Sequence, residues 1–71
     1  MEIFDYEILV QELGRPLGKY NYSAILQFVY AKTENGTKDI NPDLGESLGQ
    51  TQEEAHSKMY EKYQAWLATK N

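Results

Sequence analysis

Apolar and polar residues alternate most regularly in YNYSAILQFVYAKT, residues 20–33. Tyr20, Tyr22, Ala24, Leu26, Phe28 and Tyr30 recur with period two, which places them on one face of a β-strand. Asn21, Ser23, Ile25, Gln27, Val29 and Ala31 fall on the other face. That second face is half apolar, as expected of a strand that lies inside a sheet or under a partner. ENGT (34–37) follows, and Asn35-Gly36 predicts a type I′ hairpin turn, because both residues tolerate positive φ. The returning strand, TKDI, is short and polar and reads as an edge.

EIFDYEILVQEL (2–13) admits two readings. With period two, Phe4, Tyr6, Ile8 and Val10 share one face, and Asp5, Glu7 and Gln11 share the other. As a helix, Ile3, Tyr6, Leu9, Val10 and Leu13 share an arc that ends at Gly14. Aromatic and β-branched residues favour the strand. GRPLGK (14–19) reads as a loop, punctuated by two glycines and a proline.

NPDLGESLGQ (41–50) is a loop with a few extended residues at 46–48. Thr51-Gln52-Glu53-Glu54 then forms a capping box. The Thr51 hydroxyl is placed to accept from the amide of Glu54, and the Glu54 carboxylate to reach back to the amide of Thr51. Glu53 and Glu54 suit the positive end of the helix dipole. The apolar positions 55, 59, 63, 66 and 67 lie on one helical face, with Tyr60 at its rim. Glu54 and Lys58 form an i,i+4 pair on the other. These elements predict one α+β domain over residues 1–71. Its small antiparallel sheet has three to four strands, and a single C-terminal α-helix packs on one face. Met59, Tyr63 and Trp66 are expected to meet Tyr22, Leu26 and Phe28.

Composition narrows the chemistry. The chain has 71 residues, so its core is thin. It has no cysteine and one histidine, too few ligands for a structural zinc site, and no cofactor is expected. Asp39, Asp43 and Glu46 lack the alternating spacing of a calcium loop. Gly45 and Gly49 precede a helix, but no Gly-Lys-Ser/Thr follows, so they are not a phosphate loop. His56 has only Ser57 beside it, which points elsewhere on a helix, and no nucleophile–base pair is visible. An enzyme is not expected.

Eleven acids stand against seven bases, a formal charge of −4. Residues 1–13 carry Glu2, Asp5, Glu7 and Glu12 and no base. Such a chain does not gather a phosphate backbone by counterion release, so direct nucleic-acid binding is not expected. The acidic N-terminus does not resemble a signal peptide, and no apolar run approaches a membrane span. The expected setting is cytoplasmic, with no membrane contact.

The segment from Tyr22 to Leu67 resembles the HicB-like antitoxin family. In that family a strand, a turn and a short strand lead to PDLPGC, then GDT-EEA, then an amphipathic helix. Here YSAILQFVYAKTENG, PDLGES, GQTQEEAHSKM and YEKYQAWL follow in the same order at similar spacing. Gly49, Thr51, Glu54 and Ala55 match the family's most regular positions, and Pro42, Asp43 and Leu44 match the start of its loop. Gly45, Glu46 and Ser47 replace the usual proline, glycine and cysteine. Residues 1–20 have no counterpart, and a DNA-binding segment after the helix is not expected. The resemblance implies a small α+β module that binds and blocks a basic RNA-cleaving toxin.

The residues themselves point to a protein-interaction domain. Ile25 and Val29 project away from the expected helix. If residues 2–13 form a strand, Ile3, Leu9 and Leu13 join them, mixed with Asp5 and Glu7. The expected partner-binding residues are therefore Leu9, Ile25, Val29, Asp5 and Glu7, an apolar patch rimmed by acids. Its expected occupant is a basic protein or a second copy of the chain. The alternative to an antitoxin-like module is a structural or assembly protein, such as a phage or accessory subunit, that dimerises through its sheet.

Overall fold

A computed structural model of the chain describes residues 2–70. Four strands precede one helix: β1 (Glu2–Leu17), β2 (Tyr20–Thr33), β3 (Gly36–Ile40), β4 (Glu46–Gly49) and α1 (Gln52–Ala68). The expected α+β architecture is present. All strand pairs are antiparallel, and the helix packs against the sheet. β1 runs along one side of β2. β3 and β4 lie end to end along the other side, β3 opposite residues 29–33 and β4 opposite residues 22–25. The 20–33 strand is thus the centre of the sheet.

Residues 2–13 are strand, the reading favoured by their β-branched and aromatic content. The strand continues to Leu17, through residues expected to form a loop. Leu17 pairs with Tyr20, so the connection is only Gly18-Lys19, and Gly18 supplies the positive φ (62°) that a two-residue hairpin needs. Four residues, Leu13 to Pro16, bulge opposite Asn21. Pro16 is tolerated there because an outer, bulged strand needs no amide from it. The second hairpin also departs from expectation. Thr33 pairs with Gly36, and neither Glu34 nor Asn35 has positive φ; only Gly36 does, at 106°. A two-residue turn over Glu34-Asn35 without positive φ, closed by Gly36 in unbroken register, replaces the type I′ turn.

The largest departure is inside β2. Glu7 pairs with Phe28 and Ile8 with Leu26, so Gln27 is an extra residue in the ladder. A one-residue bulge inverts the side-chain faces beyond it. Tyr22, Ala24 and Leu26 face the helix before the bulge, and Val29 and Ala31 face it afterwards. Phe28 and Tyr30, expected beneath the helix, project from the opposite side with Ile25. The buried core is Ala24, Leu26, Val29 and Ala31 from β2, with Ala55, Met59 and Tyr63 from α1. Met59 and Val29 are the largest fully buried side chains, each contributing roughly 1.5–3 kcal/mol. Trp66 and Leu67 are half-buried at the margin of this cluster, beside Ile3, Ile8, Val10 and Tyr22.

The helix begins as the capping residues dictate. The Thr51 hydroxyl accepts from the Glu54 amide at 3.1 Å. The Glu54 carboxylate, expected to return to Thr51, meets Lys58 at 3.1 Å instead. Just before the cap, Gly49 lies beneath the first turn. A Cβ there would stand 2.4 Å from the Ala55 amide nitrogen and 2.9 Å from its Cα, which are backbone atoms that cannot swing aside. Gly49 therefore sets how closely the helix approaches β4.

Gly49→Ala is expected to lower stability by about 1–3 kcal/mol, the usual cost of overpacking. Gly14→Ala is the control, since a Cβ there meets open space. Urea denaturation of the two variants checks this; equal midpoints would show that the helix is not seated on Gly49.

Candidate protein-binding face

Antiparallel pairing puts opposed residues on the same side of a sheet, so the face away from the helix can be read row by row. Asp5, Tyr30 and Asp39 form one row across β1, β2 and β3. Glu7 lies beside Phe28 in the next. Leu9, Ile25 and Glu46 form a row across β1, β2 and β4, and Gln11, Ser23 and Leu48 form the last. Phe4, the extra residue of a bulge in β1, sets its ring 5.9 Å from Tyr30. The result is an apolar strip of Phe4, Tyr30, Phe28, Ile25, Leu9 and Leu48. Asp5, Glu7, Asp39 and Glu46 flank it, and Lys32 is a lone base at one end, opposite Glu2.

Phe4 is 52% exposed, Tyr30 41% and Ile25 38%, while Leu9, Phe28 and Leu48 are half-buried by their neighbours in the sheet. Glu46 is held in place, because its Oε2 accepts from Ser23 Oγ at 2.6 Å. Asp5 Oδ1 accepts from the amide of Tyr6 at 2.8 Å. These bonds fix two of the carboxylates beside the strip.

Of the residues expected to bind a partner, Leu9, Ile25, Asp5 and Glu7 are brought together on this face. Val29 is not. It lies on the helix side with no exposed surface, because the Gln27 bulge reversed its direction. Ile3 is likewise on the helix side, opposite Ala31. Phe28, Tyr30, Asp39 and Glu46 were not anticipated as members of the face. Residues 28–31 read Phe-Val-Tyr-Ala, apolar at every position, so periodicity there chooses neither side.

The helix side carries aromatic rings in sequence. Tyr6 stacks on Tyr63 at 4.4 Å between centroids, His56 lies over Tyr60 at 6.5 Å, and Tyr63 neighbours Trp66 at 6.3 Å. Burial pushes the Tyr63 phenol above its ordinary pKa, and the nearby Tyr6 and Tyr60 phenols add to the shift. His56 is exposed in an open depression lined by Tyr6, Ser57, Tyr60 and Glu61. Among the described residues no cluster of three or more His, Cys, Asp or Glu side chains is placed to hold a metal ion. No described helix is long and apolar enough to cross a membrane.

Comparison of the chain with known protein families, with curated proteins and with solved structures finds no match.

The two sides of β2 predict opposite responses to lysine. Ile25→Lys, on the open face, should leave the fold intact, with a change of stability within about 0.5–1 kcal/mol. Val29→Lys, in the core, should unfold the domain, because an unpaired charge cannot be buried there. Circular dichroism with thermal melting checks both. Equal tolerance of the two substitutions would contradict the assignment of faces.

Proposed function

We propose that the chain is a small non-enzymatic interaction domain whose open sheet face docks a basic protein. One observation carries this reading: carboxylates flank the apolar strip on both sides, in the same rows as its central residues. Apolar side chains supply the driving force for association, and the flanking acids select a partner with complementary charge. A second copy of the chain is the poorer occupant. Self-docking brings Asp5, Glu7, Asp39 and Glu46 of one copy towards the same four of the other, with Lys32 the base that the strand pairing sets beside them among the described residues, and like charges across an interface cost several kcal/mol.

The resemblance to HicB-like antitoxins supports the same class of partner, a basic RNA-cleaving toxin that the module blocks. PDLGES begins in the loop after β3 and ends in the first two residues of β4, and GQTQEEA runs from the end of β4 into the capped start of α1.

The test uses immobilised chain, wild type and Ile25→Lys, exposed to soluble extract of the organism that encodes it. Wild type is expected to retain a small basic protein that elutes as salt rises and whose RNA cleavage is blocked by added free chain. Ile25→Lys should weaken retention by about tenfold or more, as expected of a centrally placed side chain. Undiminished retention by Ile25→Lys would refute the face. A retained protein that cleaves no RNA would refute the antitoxin-like role while leaving the interaction domain.

A further inference from the structure

The two edges of the sheet are protected very differently. On one edge β3 and β4 are short, and α1 reaches over to β4. Lys58 Nζ donates to the Leu48 carbonyl at 3.0 Å. Lys62 Nζ donates to the Glu46 carbonyl at 3.0 Å and the Leu44 carbonyl at 3.3 Å. Edge carbonyls capped in this way are closed to an incoming strand.

The other edge is the outer side of β1. Among the described residues no strand pairs with it. Its ends are guarded by bulges, at Phe4 and between Glu12 and Leu17, and by Pro16. Between them, Asp5–Glu12 is uninterrupted on β1, without proline, glycine or lysine. The Leu48 and Glu46 carbonyls turn away from β2 to Lys58 and Lys62, so Ser23 and Ile25 direct their backbone groups to Gln11 and Leu9, and the alternate residues of β1 face outward. Tyr6, whose amide donates to Asp5 Oδ1 at 2.8 Å, is in that outward phase. Strand alternation then turns the amides of Ile8, Val10 and Glu12 the same way. This is an open ladder of the kind that accepts an added strand.

We infer that the outer edge of β1, Asp5–Glu12, takes up an extended segment of a basic protein as a fifth strand. The inference rests on the reading that the partner is basic, and it adds where and in what conformation that partner is held. The side chains along the edge specify the guest. Asp5 and Glu7 project on the open face, so the guest residues beside them are cationic. Tyr6, Ile8 and Val10 project on the helix side, half-buried or exposed at the margin of the core, so the alternate guest residues are apolar. The fitting sequence therefore alternates apolar residues with lysine or arginine. A second copy of β1 does not fit. Asp5–Glu12 holds three acids and no base, so self-pairing would set six carboxylates along one ribbon without a cation.

Amide hydrogen exchange followed by NMR tests this with a synthetic peptide of alternating valine and lysine, long enough to span Asp5–Glu12. Exchange at Ile8, Val10 and Glu12 should slow by about tenfold when about nine-tenths of the chain is occupied. A peptide of alternating valine and glutamate should leave it unchanged. The Asp5→Lys/Glu7→Lys variant, shown to be folded by circular dichroism, should lose the effect. Ile25→Lys should keep it, which separates this edge from the open face: slowing that survives Ile25→Lys supports the edge even if the face fails its own test. No slowing at peptide concentrations on the order of millimolar would overturn the inference. So would equal slowing by the glutamate peptide, or a peptide-free dimer joined through β1.

Discussion

The extra residue in β2 is the feature on which both faces of this domain depend. A strand alternates strictly, so without an interruption Leu26 and Val29 cannot face the same side. The bulge at Gln27 lets them do so. Leu26 and Val29 then meet Met59 and Tyr63 beneath the helix, while Ile25, Phe28 and Tyr30 are released to the opposite side. The helix spacing, with Ala55, Met59 and Tyr63 buried in succession, requires an apolar surface longer than the alternation of residues 20–26 alone supplies. Moving Val29 and Ala31 to the helix side extends that surface along the strand. The same inversion places Phe28 and Tyr30 among the carboxylates, so one backbone irregularity makes both the core and the exposed apolar strip.

Much of this arrangement was legible in the residues. Strong periodicity identified β2, and Thr51 with its acidic first turn identified the start of α1. Glycine and asparagine marked the second hairpin, although Gly36 and not Asn35 carries the positive φ. Leu9 and Ile25, with Asp5 and Glu7, were placed on one face correctly, because β1 is regular between its bulges and residues 20–26 precede Gln27. Val29 was misplaced because a bulge at a non-glycine residue leaves no local mark. The length of β1 was underestimated for a related reason. Gly14 and Pro16 ordinarily end a strand, but here they sit in an outer-strand bulge and the ladder resumes at Leu17.

The remaining features form a consistent division of labour. The helix covers one face and, through Lys58 and Lys62, closes one edge. Its cations are used within the fold: Lys58 also meets Glu54 and lies 5.1 Å from the Tyr20 ring. Five of the eleven acids, Glu2, Asp5, Glu7, Asp39 and Glu46, lie on the surface that the helix leaves uncovered. The proposed interaction with a basic partner, on the face or along β1, rests on that separation of charge more than on net charge alone, since a solvated acidic surface with mixed signs would select nothing.

The inversion across Gln27 is the central claim, and a cysteine scan of β2 tests it most directly. The chain has no native cysteine, so each single variant reports one position. Thiol labelling of the folded protein should be slow at residues 24 and 26, fast at 25, 27, 28 and 30, and slow again at 29 and 31. An unbroken alternation, with 28 and 30 protected and 29 and 31 reactive, would contradict the account.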